Sequence, residues 1–280
     1  MIDIYYENNA REKISFVKWP YMIFDGDIFD SEWDEIENDD HIQGFEKKIT
    51  EKKISLTISE YGPNFKKSMD ALEDVPEKDI LEGVPGKLWA GNCYLKCYIK
   101  ATEKDRWVND LQHIDAELKI ITDYPYWINE VEHRFLRNSG FAPGDSIWLE
   151  YPYEYPYEYA KDRNSQYLVN SNYTGSGFKM IIYGPCINPI IRVANHVYEI
   201  RTTLYEGEYA VIDSSSRNAV DRSIIKVLND GTKEDLFNSR NKDSEIWEKI
   251  PPGRNTVTWN GNFGFDIVLF NERSSPLWNS

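Results

Sequence analysis

The sequence is short of the residues that would announce a chemistry. Among 280 residues there are only three cysteines and four histidines. Cys93, Cys97 and Cys186 are an odd, sparse set and form no disulfide framework. Cys93 and Cys97 stand four apart in a strand-like run, and four strand residues span ~13 Å, too far for a disulfide. A metal-binding cysteine pair usually comes with a second pair, and none is present. The three are read as ordinary core thiols. His41, His113, His133 and His196 lack metal-like spacing. There is no GxSxG, HExxH, phosphate loop or GxGxxG. No apolar run approaches the ~20 residues that span a bilayer. The opening MIDIYYENNAREK lacks the basic start and apolar middle of a signal peptide, so the expectation is a protein made and kept in a cytoplasm. Positive charge is also scarce. Lys and Arg number 32 against 47 Asp and Glu, a net charge of −15. That argues against a nucleic-acid-binding surface. It leaves room for a protein past which nucleic acid slides without sticking.

What is abundant is aromatic. Nineteen Tyr and nine Trp sit in a chain that is 41% hydrophobic and 28% charged. This is globular composition with a bias toward β-structure and extended interfaces. Ile2, Ile4 and Tyr6 alternate, as do Ile14 and Phe16, which predicts short strands within 1–24. An acidic stretch with nine carboxylates follows at 25–40. Asp25 and Asp27 fit the first two positions of a calcium loop. The required Gly falls on Asp30 and the closing Glu on Ile36, so the template fails. The stretch is read as a solvated or subunit-facing hairpin. Residues 45–59 form the clearest strand, with Ile54, Leu56 and Ile58 on one face. A helix is predicted over about 64–74 from Phe65, Met69 and Leu72. Gly91-Asn92 lies between two alternating runs and signals a two-residue hairpin within 87–101. A further strand at 113–122 buries Ile114, Ala116, Leu118 and Ile120.

Residues 123–140 lead out of this first region. Tyr-Pro-Tyr-Glu occurs twice at 151–158, where Pro152 and Pro156 favour an extended connector. From about 165 onward only short strands and turns appear: Val197–Leu204, Tyr209–Ile212, Ser223–Leu228, Asn255–Trp259 and Phe265–Phe270. Asn229-Asp230-Gly231 and Asn260-Gly261-Asn262 are turns between them. This spacing indicates a β-sandwich. Carboxylates are abundant enough that counting neither identifies nor excludes a glycosidase pair. Exposed Trp and Tyr would suit sugar stacking, whereas Trp247, Trp259 and Trp278 are read as packing residues.

Several segments, taken in order, resemble a known family. They are MIDIYY with KWPYMIFDGDIFDSEWDEIE, KKISLTIS, YGPNFKKSMDALEDV, PGKLWAGNCYLKCYIKA and TDYPYWINE. In the second half come YGPCINPIIRVANHVYEI, DGTKEDLFNSRNKDSEIWEKIPPGRNTVTWNG and a terminal SPLW. Together they look like the distal tail proteins of long non-contractile-tailed phages, particularly those of Gram-positive hosts. The resemblance implies a mainly β fold. Residues 1–140 would be a ring-forming N-terminal domain, β-sandwich-like with one α-helix and a hairpin. Residues 141–175 would be an extended aromatic and proline-rich connector, and 176–280 a galectin-like C-terminal β-sandwich. It further implies a homo-hexameric ring at the virion tail tip, assembled in the host cytoplasm. Its partners would be the tail tube protein and the tail-tip, tail-associated and receptor-binding proteins, with DNA passing through a channel without specific binding. No enzyme activity, cofactor or metal is expected, no membrane insertion, and no catalytic or ligand-binding residue is singled out. The alternative is a carbohydrate-binding adhesion module of a phage tail or cell-surface device. Edge strands near 45–59 or 87–101 are expected to be available for pairing between subunits.

Overall fold

The computed structural model describes residues 2–38, 41–60, 63–105, 113–137, 166–214 and 222–276. The paired Tyr-Pro-Tyr-Glu segment and Trp278 lie outside the described residues, as does most of the expected connector. The chain divides into two compact units, Met1–Asn129 with Glu272–Ser280, and Glu130–Asn271. Both are built mainly of antiparallel strands. No helix among the described residues is long and apolar enough to cross a membrane.

The first unit is organised by one long strand. β1 (Ile4–Glu7), β2 (Lys13–Ser15), β7 (Gly86–Ala90) and the first half of β8 (Cys93–Lys104) form one layer, in the order β2-β1-β7-β8. β3 (Tyr21–Gly26), β6 (Thr50–Ser59), β9 (His113–Thr122) and the second half of β8 form the other. β8 serves both because its register shifts between Ile99 and Ala101. A bulge bends a strand and sharpens its twist, so one strand can turn the corner between layers. The inward residues of both layers, including Tyr6, Phe16, Leu56, Leu88, Leu95 and Leu118, close one core. Cys93 and Cys97 lie in it as free thiols, in accord with the reading as core thiols.

The turn between β7 and β8 is Gly91-Asn92, as predicted. Gly91 sits at φ 61°, the left-handed conformation that a primed hairpin turn requires at its first position. The predicted strand at 45–59 is shorter, because Phe45 and Glu46 belong to the preceding strand β5 (His41–Glu46). The expected edges are also corrected. β6 lies between β3 and β9, and β7 between β1 and β8, so neither segment is free to pair. Strands that alternate cleanly with a buried face are good centre strands. Hydrophobic alternation cannot distinguish a centre from an edge.

The helix α1 runs Pro63–Glu82, well past the expected end near 74. Phe65, Met69, Leu72, Val75 and Asp79 continue one buried stripe across Pro76. It stops where Gly83 adopts φ 69°. Gly83 N–H then bonds Ile80 O, and Val84 N–H bonds Asp79 O, the paired closure of a Schellman motif. The last buried position of the stripe is polar for a reason. Tyr6 Oη donates to Asp79 Oδ2 at 2.6 Å, and the Asn9 backbone and side-chain N–H groups both donate to Asp79 Oδ1 at 2.9 Å. Burial and this carboxylate together push the Tyr6 phenol far above its ordinary pKa.

The second unit is a β-sandwich. One sheet has the order β19 (Lys233–Asp235), β18 (Ser223–Val227), β17 (Tyr209–Asp213), β12 (Gly177–Tyr183), β21 (Phe265–Arg273). The other has the order β11 (Gln166–Asn170), β20 (Gly253–Trp259), β14 (Ile190–Val193), β15 (His196–Glu199). Met180, Ile212 and Ile267 from the first sheet meet Leu168, Ile191, Val257 and Tyr198 from the second in one core. Trp259 is buried there with its ring edge-on to Phe135 and Phe265, and Trp247 packs against the same core. Both are packing residues, as read from the sequence.

The Asp79 cluster generates a prediction. A Cβ on Gly86 would stand 2.2 Å from Tyr6 Oη and 2.3 Å from Asp79 Oδ2. Gly86→Ala is expected to destabilise the first unit by about 1–3 kcal/mol through overpacking. Tyr6→Phe is expected to cost about 1–3 kcal/mol by leaving a buried carboxylate oxygen short of a donor. Urea unfolding followed by Trp fluorescence checks both.

Candidate interaction site: a pinned apolar hairpin

The acidic stretch does not form a hairpin by itself: Asp25 and Gly26 close β3, and only its last part supplies one strand of a hairpin that extends to residue 46. β4 (Asp34–Asn38) pairs with β5 (His41–Glu46), with a register shift between Ile36 and Glu37. Asp34 faces Glu46 across the pair, a like-charge opposition that would be destabilising alone. Lys48 stands 3.6 Å from Asp34 and 3.8 Å from Glu46 and compensates both.

The hairpin is not simply solvated. Ile36, Ile42, Phe45 and the following Ile49 are all exposed, with Ile42 at 61% and Phe45 at 60%. Trp33 and Phe45 line an open cleft of about 500 Å³. Trp19, and Met22 and Phe24 on β3, are further exposed large side chains of this unit, while the Ile23 N–H on the side of β3 away from β6 donates to Phe16 O at 2.8 Å. Exposed apolar residues clustered in this way mark interaction surfaces.

Two buried lysines hold this segment at its roots. The Lys47 ammonium lies 5.0 Å from the ring centres of both Trp33 and Tyr126 and donates to Pro125 O at 3.1 Å. Trp33 and Tyr126 meet edge-on at 6.1 Å. Lys52 donates to Asp27 O at 3.2 Å and Asp30 O at 2.6 Å. Burial holds both amines below the ordinary lysine pKa, with Lys52 adding to the effect on Lys47. A cation held by ring faces and a carbonyl is a positional pin.

Among the described residues no group of three or more His, Cys, Asp or Glu could hold a metal ion. Glu103, Asp105, Asp115 and Glu117 do line one open pocket of about 490 Å³. Of these, Glu103 pairs with Lys119, Glu117 with Lys53 at 3.1 Å, and Asp115 accepts from Thr57 at 2.5 Å. They form a surface ion-pair lattice. His196 bonds Glu245 O at 2.7 Å and serves the second unit's packing. His133 Nε2 is buried without a hydrogen-bond partner, and the structure joins it to no other chemical group. Sequence reading expected a hairpin within 25–40, too early in the chain, and missed the apolar residues of the one at 34–46. Phe45 and Ile49 were absorbed into the neighbouring strand, and nine carboxylates masked Ile36 and Ile42.

No protein-family model matches the sequence, and no curated protein is significantly similar to it. Solved structures are similar. A chain of the phage P2 baseplate in its activated conformation with Ca matches with TM-score 0.64 at 12% identity, over 98% of this chain and 99% of that one. The same baseplate with Sr matches with TM-score 0.65 at 12% identity, over 99% and 100%. SPP1 Dit (gp 19.1), described as a paradigm of the hub adsorption apparatus in phages infecting Gram-positive bacteria, matches with TM-score 0.58 at 7% identity, over 98% and 99%. The chain has the fold of phage baseplate and hub proteins. The likeness extends over both units, from one end of the sequence to the other.

Two outcomes test this site. Lys47 and Lys52 have folded-state pKa values below the unfolded value, so the unfolded chain binds more protons between those values and 10.5. Their contribution to stability therefore rises with pH in that window. The unfolding free energy of the native protein relative to Lys47→Met is expected to grow from pH 7 toward pH 10, measured by urea titration. For the thiols, burial pushes Cys97 up to about 12 and Cys186 up to about 11. Iodoacetamide at pH 8 should label half-buried Cys186 slowly, and Cys93 and Cys97 only after denaturation, as read by peptide mass spectrometry.

Proposed function

We propose that this chain is a structural hub protein at the distal end of a long non-contractile phage tail. Six copies form a ring through the first unit, which joins the tail tube to tail-tip and receptor-binding proteins and leaves a channel for DNA. The observation that carries this reading is the full-length likeness to the phage P2 baseplate chain and to SPP1 Dit, each covered over 99% of its length. A fragment or a single shared sandwich would carry far less weight, because sandwiches host many functions. The role is assembly and passage, not catalysis, and its place is the virion tail tip.

Two features of the chain support the ring. A closed ring needs a heterologous contact, one surface meeting a different surface on the next copy. The hairpin with Ile42 and Phe45 is the exposed apolar surface we assign to that contact, and Met22 and Phe24 on β3 are further exposed apolar side chains of the same unit. Charge suits the channel. Six copies at −15 carry −90 together, and acidic walls repel passing DNA.

Light scattering on purified protein, with negative-stain images of the same fractions, tests the proposal. Closed six-fold rings are expected, alone or on addition of the tail tube protein. A monomer under both conditions counts against it. Ile42→Asp combined with Phe45→Asp is expected to convert rings to monomers and to leave the thermal unfolding of the monomer unchanged, because both side chains are mostly exposed.

A further inference from the structure

The second unit carries a cationic, donor-rich face that the hub reading does not use. On β20 the outward residues are Arg254, Thr256 and Thr258, and the inward ones Asn255, Val257 and Trp259 are buried. On β14 the outward residues are Ile190 and Arg192. Register places Arg192 directly beside Thr258, and Tyr167 of β11 beside Thr256. A cleft of about 290 Å³ opens at the Arg192 end, lined by Asn188, Ile190, Arg192, Thr258, Trp259 and Asn260.

Several donors of this cleft have no partner among the described residues, although the Trp259 Nε1–H is taken by Phe263 O at 3.0 Å. Among the described residues the Arg192 guanidinium makes no ion pair or hydrogen bond. Among the described residues the side-chain N–H groups of Asn188 and Asn260 and the Thr258 hydroxyl are likewise unengaged, although Asn260 Oδ1 accepts from Asn262 N at 3.1 Å and the Asn188 backbone N–H donates to Thr202 O at 2.8 Å. Among the described residues no carboxylate lines the cleft. The nearest acid in register is Glu199, opposite Ile190, and it is taken by Arg201 at 3.3 Å and Asn241 at 2.8 Å. In a chain with 47 acids against 32 bases, an unpaired arginine is not short of carboxylates to meet. Arg254 repeats the pattern. Its guanidinium lies 3.6 Å from the Tyr167 ring centre, with no ion pair among the described residues. Four strand residues separate Arg254 from Thr258, so the two cations stand roughly 14 Å apart on one face.

From this juxtaposition we infer that the outer face of the β11-β20-β14-β15 sheet binds an anionic glycan, a hydroxylated chain bearing carboxylate or phosphate groups. The guanidinium fork matches either anion through two parallel hydrogen bonds. Threonine hydroxyls and asparagine amides suit sugar or polyol hydroxyls, as donors and acceptors side by side. Four of the residues that line the cleft, Asn188, Arg192, Thr258 and Asn260, are polar, which suits a hydroxylated ligand better than an apolar anchor of a protein partner. The two arginines give successive anionic groups of one chain two points of attachment.

The test uses the full chain and four probes of equal length, measured by calorimetry at low and moderate salt: oligogalacturonate, poly(glycerol phosphate), a neutral oligogalactan and poly-glutamate. At least one anionic glycan is expected to bind at least tenfold more tightly than the neutral chain, and more weakly as salt rises. Arg192→Ala should lower that affinity roughly tenfold or more, the cost of a lost charge-assisted pair. Arg192→Lys should retain part of it. Lys233→Ala, which removes one exposed charge from a different sheet, should bind like the native chain. Thermal unfolding identical to the native chain shows that the variants are folded. Which anion binds better separates the carboxylate from the phosphate source. Equal binding of the neutral chain, full binding by Arg192→Ala, or no binding of any probe at millimolar concentration overturns the inference. Poly-glutamate binding as tightly as the glycans also overturns it and assigns the face to an acidic protein. The inference does not depend on the hub reading, since ring formation and glycan binding are read separately.

Discussion

A single buried hydrogen bond ties together the parts of the first unit that sequence separation keeps apart. Tyr6 on the first strand donates to Asp79 near the end of the helix, and Gly86 opens the next hairpin beneath them with no room for a methyl group. The same carboxylate takes two donors from Asn9. A buried carboxylate is costly unless its oxygens are satisfied, so all these groups must arrive together. The helix therefore has a fixed end, the hairpin a fixed start, and the strand β1 a fixed place between β2 and β7. The two layers joined by β8 are arranged around that point.

The strands were largely legible because alternation is local. Ile54-Leu56-Ile58, Cys93-Leu95-Cys97 and Ile114-Ala116-Leu118 each name their buried face in the sequence, and the structure buries those faces. The Gly91-Asn92 turn was legible for the same reason. The helix end was not, because its last turns are set by Asp79, whose partners lie about 70 residues away. Edges were misread because a centre strand and an edge strand can share one pattern. The interaction surfaces were the least legible. Phe45 looks like a core residue until the hairpin is seen to project it. Arg192 looks like any surface cation until the acids around it are found to be engaged elsewhere.

The two units use charge in opposite ways. The hairpin of the first unit is rich in acids, yet its fixed points are two lysines buried against rings and backbone carbonyls. The second unit buries one ion pair outright, Lys226 with Glu208 at 2.9 Å, where the ammonium also reaches Thr203 O and the carboxylate receives Tyr205 N–H. A buried pair completed by further hydrogen bonds fixes a geometry more than it adds stability. Set against that closed pair, the guanidinium groups of Arg192 and Arg254 on the outer sheet have no carboxylate partner among the described residues.

The cation beneath the hairpin has one more consequence. Lys47 is held by two aromatic rings and a carbonyl, and dissolved ions weaken such buried contacts little, whereas they readily screen exposed charges. The carboxylates Glu35 and Glu37 along the hairpin are exposed, so the field they set up is the part that salt screens. Changing ionic strength therefore alters the charge presented by the hairpin and leaves the contact at its base in place.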